Sequence, residues 1–292
     1  MNLNSGTCKI VKFYPCENIE NNLAEFAEDF FEVMSIDYTE NNLEQLIGYM
    51  RQDFDENTLI AAAAANNINL PPYQIETVHS DNWLTENVIQ FAPVEVADFL
   101  IYGVHEKNID TNGKIGIKVY AATAFGSEHQ TTKGCLQALS EIKQNNEAEK
   151  ILDVGTGSGI LAIAGAKLWP QAKIVAVDID DEAVAVAAQN AADNDVSKQI
   201  NAAYSDGYTA ELVQKNAPYD LIFANILARP LIDMAPQMAD ALKNGGHAII
   251  SGFIEEQTDW VLSAHEKYGL KLKKLYQLDN WCTAILEKTD AH

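Results

Sequence analysis

Positive charge is what this chain has least of. Its 292 residues carry 20 Lys+Arg against 42 Asp+Glu, a net charge of −22. A protein that grips nucleic acid through phosphates needs a basic face, so direct nucleic-acid binding is not expected. Long apolar runs are also missing. Nothing reaches the ~18 consecutive apolar residues of a membrane helix. The first residues lack the basic-then-apolar layout of a secretory leader. Cysteine is sparse and scattered: Cys8, Cys16, Cys135 and Cys282 form no C-x-x-C pair. That argues against a disulfide frame or a zinc site, and the six histidines show no ligand spacing either. No metal and no membrane are expected, and a reducing, cytoplasmic setting is. The acidity is sharpest early. Residues 1–60 hold 12 acids against Lys9, Lys12 and Arg51, a net of −9. This either steers a basic partner or reflects general acidity.

What is present is a chain with 47% hydrophobic residues, enough for one large or two modest domains. The first 80 residues read as strand, helix, strand, strand, helix, strand, with the first helix over residues 19–31. This order fits a ferredoxin-like module. Residues 81–96, with Trp83, read as a linker. From residue 97 two short strands come first, over 99–104 and 115–119, then an amphipathic helix over 131–142. Strands and helices alternate after that, which calls for a parallel sheet covered by helices on both faces. One helix is expected over 230–242. Only Asp279-Asn280 separates the last two strands, so they form an antiparallel hairpin and the sheet should end with one reversed strand.

The strongest motif is Ile151-Leu152-Asp153-Val154-Gly155-Thr156-Gly157-Ser158-Gly159. An apolar strand runs into three alternate glycines and then a helix. Glycines there let a ligand approach backbone amides and a helix N-terminus; the alternative is a turn that only lets strand and helix pack closely. The dinucleotide fingerprint is G-x-G-x-x-G, but here the third glycine comes one residue early, which disfavours an NAD-dependent oxidoreductase. An acid also precedes the first glycine by two residues, the pattern of an S-adenosylmethionine (SAM) site. A second strand ends in Asp178, 23 residues after Gly155. The expected separation for a ribose-holding acid is about 20, and a carboxylate can accept two bonds from a vicinal diol. The alternative role for Asp178 is a helix cap, but Asp180 and Asp181 suit the cap and first turn better. A third strand ends in Asn225, beyond which a ligand and its acceptor would meet.

Two segments narrow the class: Asn225-Ile226-Leu227-Ala228 and Phe125-Gly126-Ser127-Glu128-His129-Gln130-Thr131-Thr132. With Trp281-Cys282 in the last hairpin, they resemble the PrmA family of methyltransferases acting on large-subunit ribosomal protein L-eleven. The resemblance spans most of the chain. The loop departs from the family's Phe-Gly-Thr-Gly-x-His-x-Thr-Thr by being one residue short and lacking the second glycine. The resemblance implies an α/β fold with a Rossmann-like seven-stranded sheet behind the small N-terminal domain. It implies SAM as cofactor, bound by Thr132, Gly155, Gly157, Asp178 and Asn225, with Asn225 also positioning the acceptor. It further implies a ribosomal protein substrate, methylated on lysine or α-amino nitrogens and recognised by residues 1–80. The rivals are another protein or small amine as acceptor, and a SAM-binding module without turnover. His129 is either a proton acceptor or a loop-structuring residue. Glu128, Trp83 and Phe125 are candidate pocket residues or ordinary surface and packing. Ser205-Asp206-Gly207 either reaches the adenine or is a plain turn.

Overall fold

The computed structural model describes residues 7–14, 23, 26, 30–38, 44–50, 55–66, 68–79, 92–106, 109–120 and 130–289. The chain divides into two compact units, Met1–Asn87 and Val88–His292.

The first unit holds β1 (Thr7–Phe13), β2 (Phe31–Tyr38), β3 (Glu44–Met50), α1 (Glu56–Ala65) and β4 (Tyr73–His79). Its antiparallel sheet has the order β2-β3-β1-β4. That is the strand arrangement of a ferredoxin-like module. Leu23 and Phe26 are helical, as read, while most of the helix expected over 19–31 lies outside the described residues. Asp55 caps α1 by accepting from the Thr58 amide at 3.2 Å. Val11, Phe13, Leu23, Phe31, Leu46 and Leu59 form the core.

The second unit contains β5 (Val94–Val96), β6 (Phe99–Gly103), β7 (Ile115–Val119), α2 (Gln130–Asn145), β8 (Lys150–Val154), α3 (Ile160–Leu168), β9 (Lys173–Asp178), α4 (Asp181–Asp193) and β10 (Ile200–Tyr204). It continues with α5 (Glu211–Asn216), β11 (Tyr219–Asn225), α6 (Ala228–Asp233), α7 (Ala235–Ala241), β12 (Leu242–Ile254), α8 (Thr258–Glu266), β13 (Leu270–Leu278) and β14 (Trp281–Lys288). The main sheet has seven strands in the order β10-β9-β8-β11-β12-β14-β13. Its central strands alternate faces with the two-residue period of a strand. Ile151, Ile174 and Phe223 point into the layer formed with α2 and α3. Leu152, Val175 and Ile222 point into the layer formed with α6, α7 and α8. Both faces are buried, so these strands read as nearly continuous apolar runs.

Two expectations need correction. The helix expected over 230–242 is two helices. Pro236 lies in the first turn of α7, where its missing amide is tolerated; continued from α6, its ring would clash one turn back. Within the 81–96 segment, Val94–Val96 form β5, which pairs with β6 in a separate three-stranded sheet. The sheet does not end on its reversed strand either. β14 is antiparallel to both β12 and β13, so β14 lies second from the end and β13 is the edge. The two-residue turn makes the last two strands neighbours, but which of them pairs with β12 is set by the apolar faces: β14 buries five consecutive residues, whereas β13 is largely exposed. Trp83 lies outside the described residues.

Candidate functional site

The carboxyl ends of β8, β9 and β11 lie side by side, with β8 in the centre. The connection after β8 is the glycine turn. Gly155, Gly157 and Gly159 all have positive φ, at 69°, 51° and 77°, a region that costs other residues energy. The three glycines are not equivalent. A Cβ on Gly155 would overlap Cγ2 of Ile226, and one on Gly159 would crowd Ala187 of α4. A Cβ on Gly157 would meet nothing within 4 Å. Gly155 and Gly159 therefore serve packing, and Gly157 faces open space. The packing reading of the motif applies to Gly155 and Gly159, and Gly157 leaves room for the ligand reading.

The turn is pinned to β9. The amides of Gly155 and Thr156 donate to the Val177 carbonyl at 2.9 and 3.0 Å. The Gly157 amide donates to Asp178 Oδ2 at 2.9 Å, and the Asp180 amide to Asp178 Oδ1 at 3.1 Å. Asp180 caps α4 by accepting from the Glu182 amide at 2.9 Å, so Asp178 is not the cap. Each Asp178 oxygen keeps a lone pair for another donor.

At the end of β11, Asn225 Nδ2 donates to Thr132 Oγ1 of α2 at 3.4 Å. Thr132 is buried and Asn225 is partly exposed. This bond engages the Asn225 amide nitrogen, and its Oδ1 is chemically an acceptor. The two halves of the site touch through Ile226, whose side chain fills the space a Gly155 Cβ would take. The structure thus brings together Gly155, Gly157, Asp178, Thr132 and Asn225. Phe125, Ser127, Glu128 and His129 lie outside the described residues. Ser205 Oγ donates to the Gly207 carbonyl at 2.7 Å and accepts from the Ala210 amide at 3.1 Å, so its side chain serves a turn. Asp206 is exposed. Ile179 and Leu227, directly after Asp178 and two residues after Asn225, are 61% and 60% exposed, apolar groups at the rim.

Three structural residues escaped the sequence reading. Gly252 has φ 98°, and a Cβ there would overlap the Ile226 carbonyl oxygen. It marks a bulge between β12 and β14 that lets the Asn225–Leu227 turn sit close. Asn190, fully buried on α4, accepts from the Tyr120 amide at 2.7 Å and donates to the carbonyls of Tyr120 and Ser158 at 3.2 and 2.7 Å. Asn194, one turn on, bonds the Lys118 backbone in the same two-sided way. A signal existed: two asparagines four apart beside Val186, Ala187 and Ala191, on a face that should be apolar.

Asp153 is buried behind the turn, accepting from Thr156 Oγ1 at 2.7 Å and the Ala162 amide at 3.2 Å. Burial pushes its carboxyl from 3.8 up to about 7; the two hydrogen bonds oppose this and the Asp178 charge adds to it. A carboxyl raised in the folded state binds a proton that the unfolded state gives up. The stability it contributes is present below about pH 4 and lost as pH rises towards 7. Asp153→Asn keeps an acceptor for both donors and removes the charge. It is expected to raise the melting temperature by several degrees at pH 8 and to leave it nearly unchanged at pH 4. An equal shift at both values would refute the buried charge.

A family profile described as "Ribosomal protein L11 methyltransferase (PrmA)" matches residues 7–289. A ribosomal protein L11 methyltransferase of Brucella suis is 36% identical over 264 residues, covering 90% of this chain and 91% of the relative. One of Rhizobium meliloti is 35% identical over 269 residues, covering 91% and 92%. Among solved structures, a ribosomal protein L11 methylase of Lactobacillus delbrueckii subsp. bulgaricus aligns with a TM-score of 0.59 and 28% identity, over 68% of this chain and all of that one.

Proposed function

The chain belongs to the ribosomal protein L11 methyltransferase family, and from that premise we propose that it transfers methyl groups from SAM to amines of ribosomal protein L11. The observation that carries the reading is the pairing of Gly157, whose α-carbon faces open space, with Asp178, whose carboxylate holds the Gly157 amide and retains acceptor capacity. A nucleoside with a vicinal diol and a short amino-acid arm suits such a cradle. The residues fit SAM: Asp178 takes the ribose, the Gly155–Gly157 backbone takes the amino-acid end, and Thr132 and Asn225 stand on the far side. An NAD-dependent oxidoreductase has no support in the family match.

SAM, when bound, supplies a methyl group on a positively charged sulfur. The remaining work is alignment and exclusion of water. Asn225 Oδ1 accepts an N–H of the incoming amine and so directs the nitrogen lone pair. Thr132 fixes the Asn225 amide in the orientation that leaves Oδ1 available. Exposed Ile179 and Leu227 offer apolar surface at the rim that a docked substrate would cover. A lysine amine is a cation at neutral pH, with pKa about 10.4, and must shed a proton before it can attack. A desolvated pocket favours its neutral form, and a neutral amide opposite it avoids stabilising the cation as a carboxylate would. The acids around Asp178, including Asp180, Asp181 and Glu182, concentrate cationic substrate near the edge.

The N-terminal unit is proposed to recognise the ribosomal protein, with residues 81–96 joining it to the catalytic domain. Its support is the ferredoxin-like strand order and the net charge of −9 over residues 1–60, suited to a basic partner. A ribosomal substrate supports a cytoplasmic setting for the reaction. No helix among the described residues is long and apolar enough to cross a membrane. The test is transfer of labelled methyl from SAM to purified L11. The wild type is expected to label L11 on amines, and Asn225→Ala to be at least about tenfold slower. No label on L11 under conditions where SAM binds would refute the assignment.

A further inference from the structure

One tyrosine near the glycine turn carries an unanswered hydroxyl. Tyr120 is 7% exposed, and its Oη has no hydrogen-bond partner among the described residues. Leaving such a group buried and unpaired is costly. Trp169 and Tyr208 also carry orphaned atoms, but both rings are packed into the apolar layers. Tyr120 belongs to neither layer.

Its place is well fixed. Asn190 clamps the Tyr120 backbone from both sides and bonds the Ser158 carbonyl with the same amide. Tyr120 therefore stands beside the end of the glycine turn and against α4, the helix that begins three residues after Asp178. Burial, and then the charge of Glu182 in the first turn of α4, hold its phenol above the ordinary range. The hydroxyl is thus within electrostatic reach of the end of α4 that follows Asp178.

The chemistry of the diol supplies the missing partner. A carboxylate only accepts, so Asp178 takes the protons of the ribose hydroxyls and leaves their oxygens in need of a donor. We propose that Tyr120 Oη donates to a ribose hydroxyl of SAM, as a second grip on the sugar beside Asp178. This rests on the SAM reading above.

Tyr120→Phe removes only the hydroxyl. Calorimetric titration with S-adenosylhomocysteine should show a Kd raised roughly five- to tenfold, with the ligand-free melting temperature unchanged or higher. Adenosine, which lacks the amino-acid end, should lose affinity by a similar factor. A Kd within about twofold of wild type, a loss confined to S-adenosylhomocysteine, or a lower ligand-free melting temperature would each overturn the proposal. Failure of the wild type to bind S-adenosylhomocysteine would instead strike the SAM reading itself.

Discussion

Gly155→Val is expected to weaken S-adenosylhomocysteine binding roughly a hundredfold or more while the fold survives. Gly155 holds φ at 69°, and a β-branched residue there is a genuine outlier costing ~1–3 kcal/mol. The new side chain would also overlap Ile226. The Ile226 side chain can give way, but the strain at positive φ is relieved only by a change in the turn's conformation. That breaks the two amide bonds to the Val177 carbonyl and moves the Gly157 amide away from Asp178. Ile226 lies only at the partly buried edge of one apolar layer, so the far-ultraviolet circular dichroism spectrum should change little. Titration calorimetry reads the affinity. Wild-type affinity would remove Gly155 from the site.

Gly252→Ala should have the largest effect on methyl transfer of any substitution outside the cradle. Its φ of 98° is hostile to alanine, and the methyl would overlap a backbone oxygen rather than a flexible side chain. Ile226 must then move, and its amide bond to the Ser251 carbonyl at 3.1 Å goes with it. Asn225 is the preceding residue, so its Oδ1 is displaced from the reacting point. Misplacement by about 1 Å can cost a hundredfold in rate. The expected result is a rate lower by about two orders of magnitude, with a fall in melting temperature. A thermal melt with a single-turnover methyl-transfer assay separates the two effects. A near-normal rate would show that Asn225 is not held in place through Gly252.

The glycine turn and the acid beside it were legible in the sequence because local patterns fix them. Three alternate glycines after an apolar strand, and an acid at the end of the next strand, are set by chain neighbours. The hairpin was legible for the same reason, since two intervening residues permit one geometry. What was missed depends on distant contacts. Gly252 gains its meaning from the Ile226 carbonyl, and nothing near it in sequence says so. Asn190 is explained by the backbone of Tyr120, 70 residues away. β5 has three residues, too few for a periodicity. The order of β13 and β14 was decided by which strand had the more apolar faces, a cue the short turn obscured. The division of residues 228–241 into α6 and α7 could have been read from Pro236 alone.

The central claim is that SAM lies across the ends of β8, β9 and β11, between Asp178 and Asn225. A crystal structure with S-adenosylhomocysteine and the full chain tests it most directly. The expected result is the ribose diol on the Asp178 carboxylate, the amino-acid arm along Gly155–Gly157, and the sulfur facing Asn225. Ligand bound elsewhere, or with its sugar away from Asp178, would contradict the account.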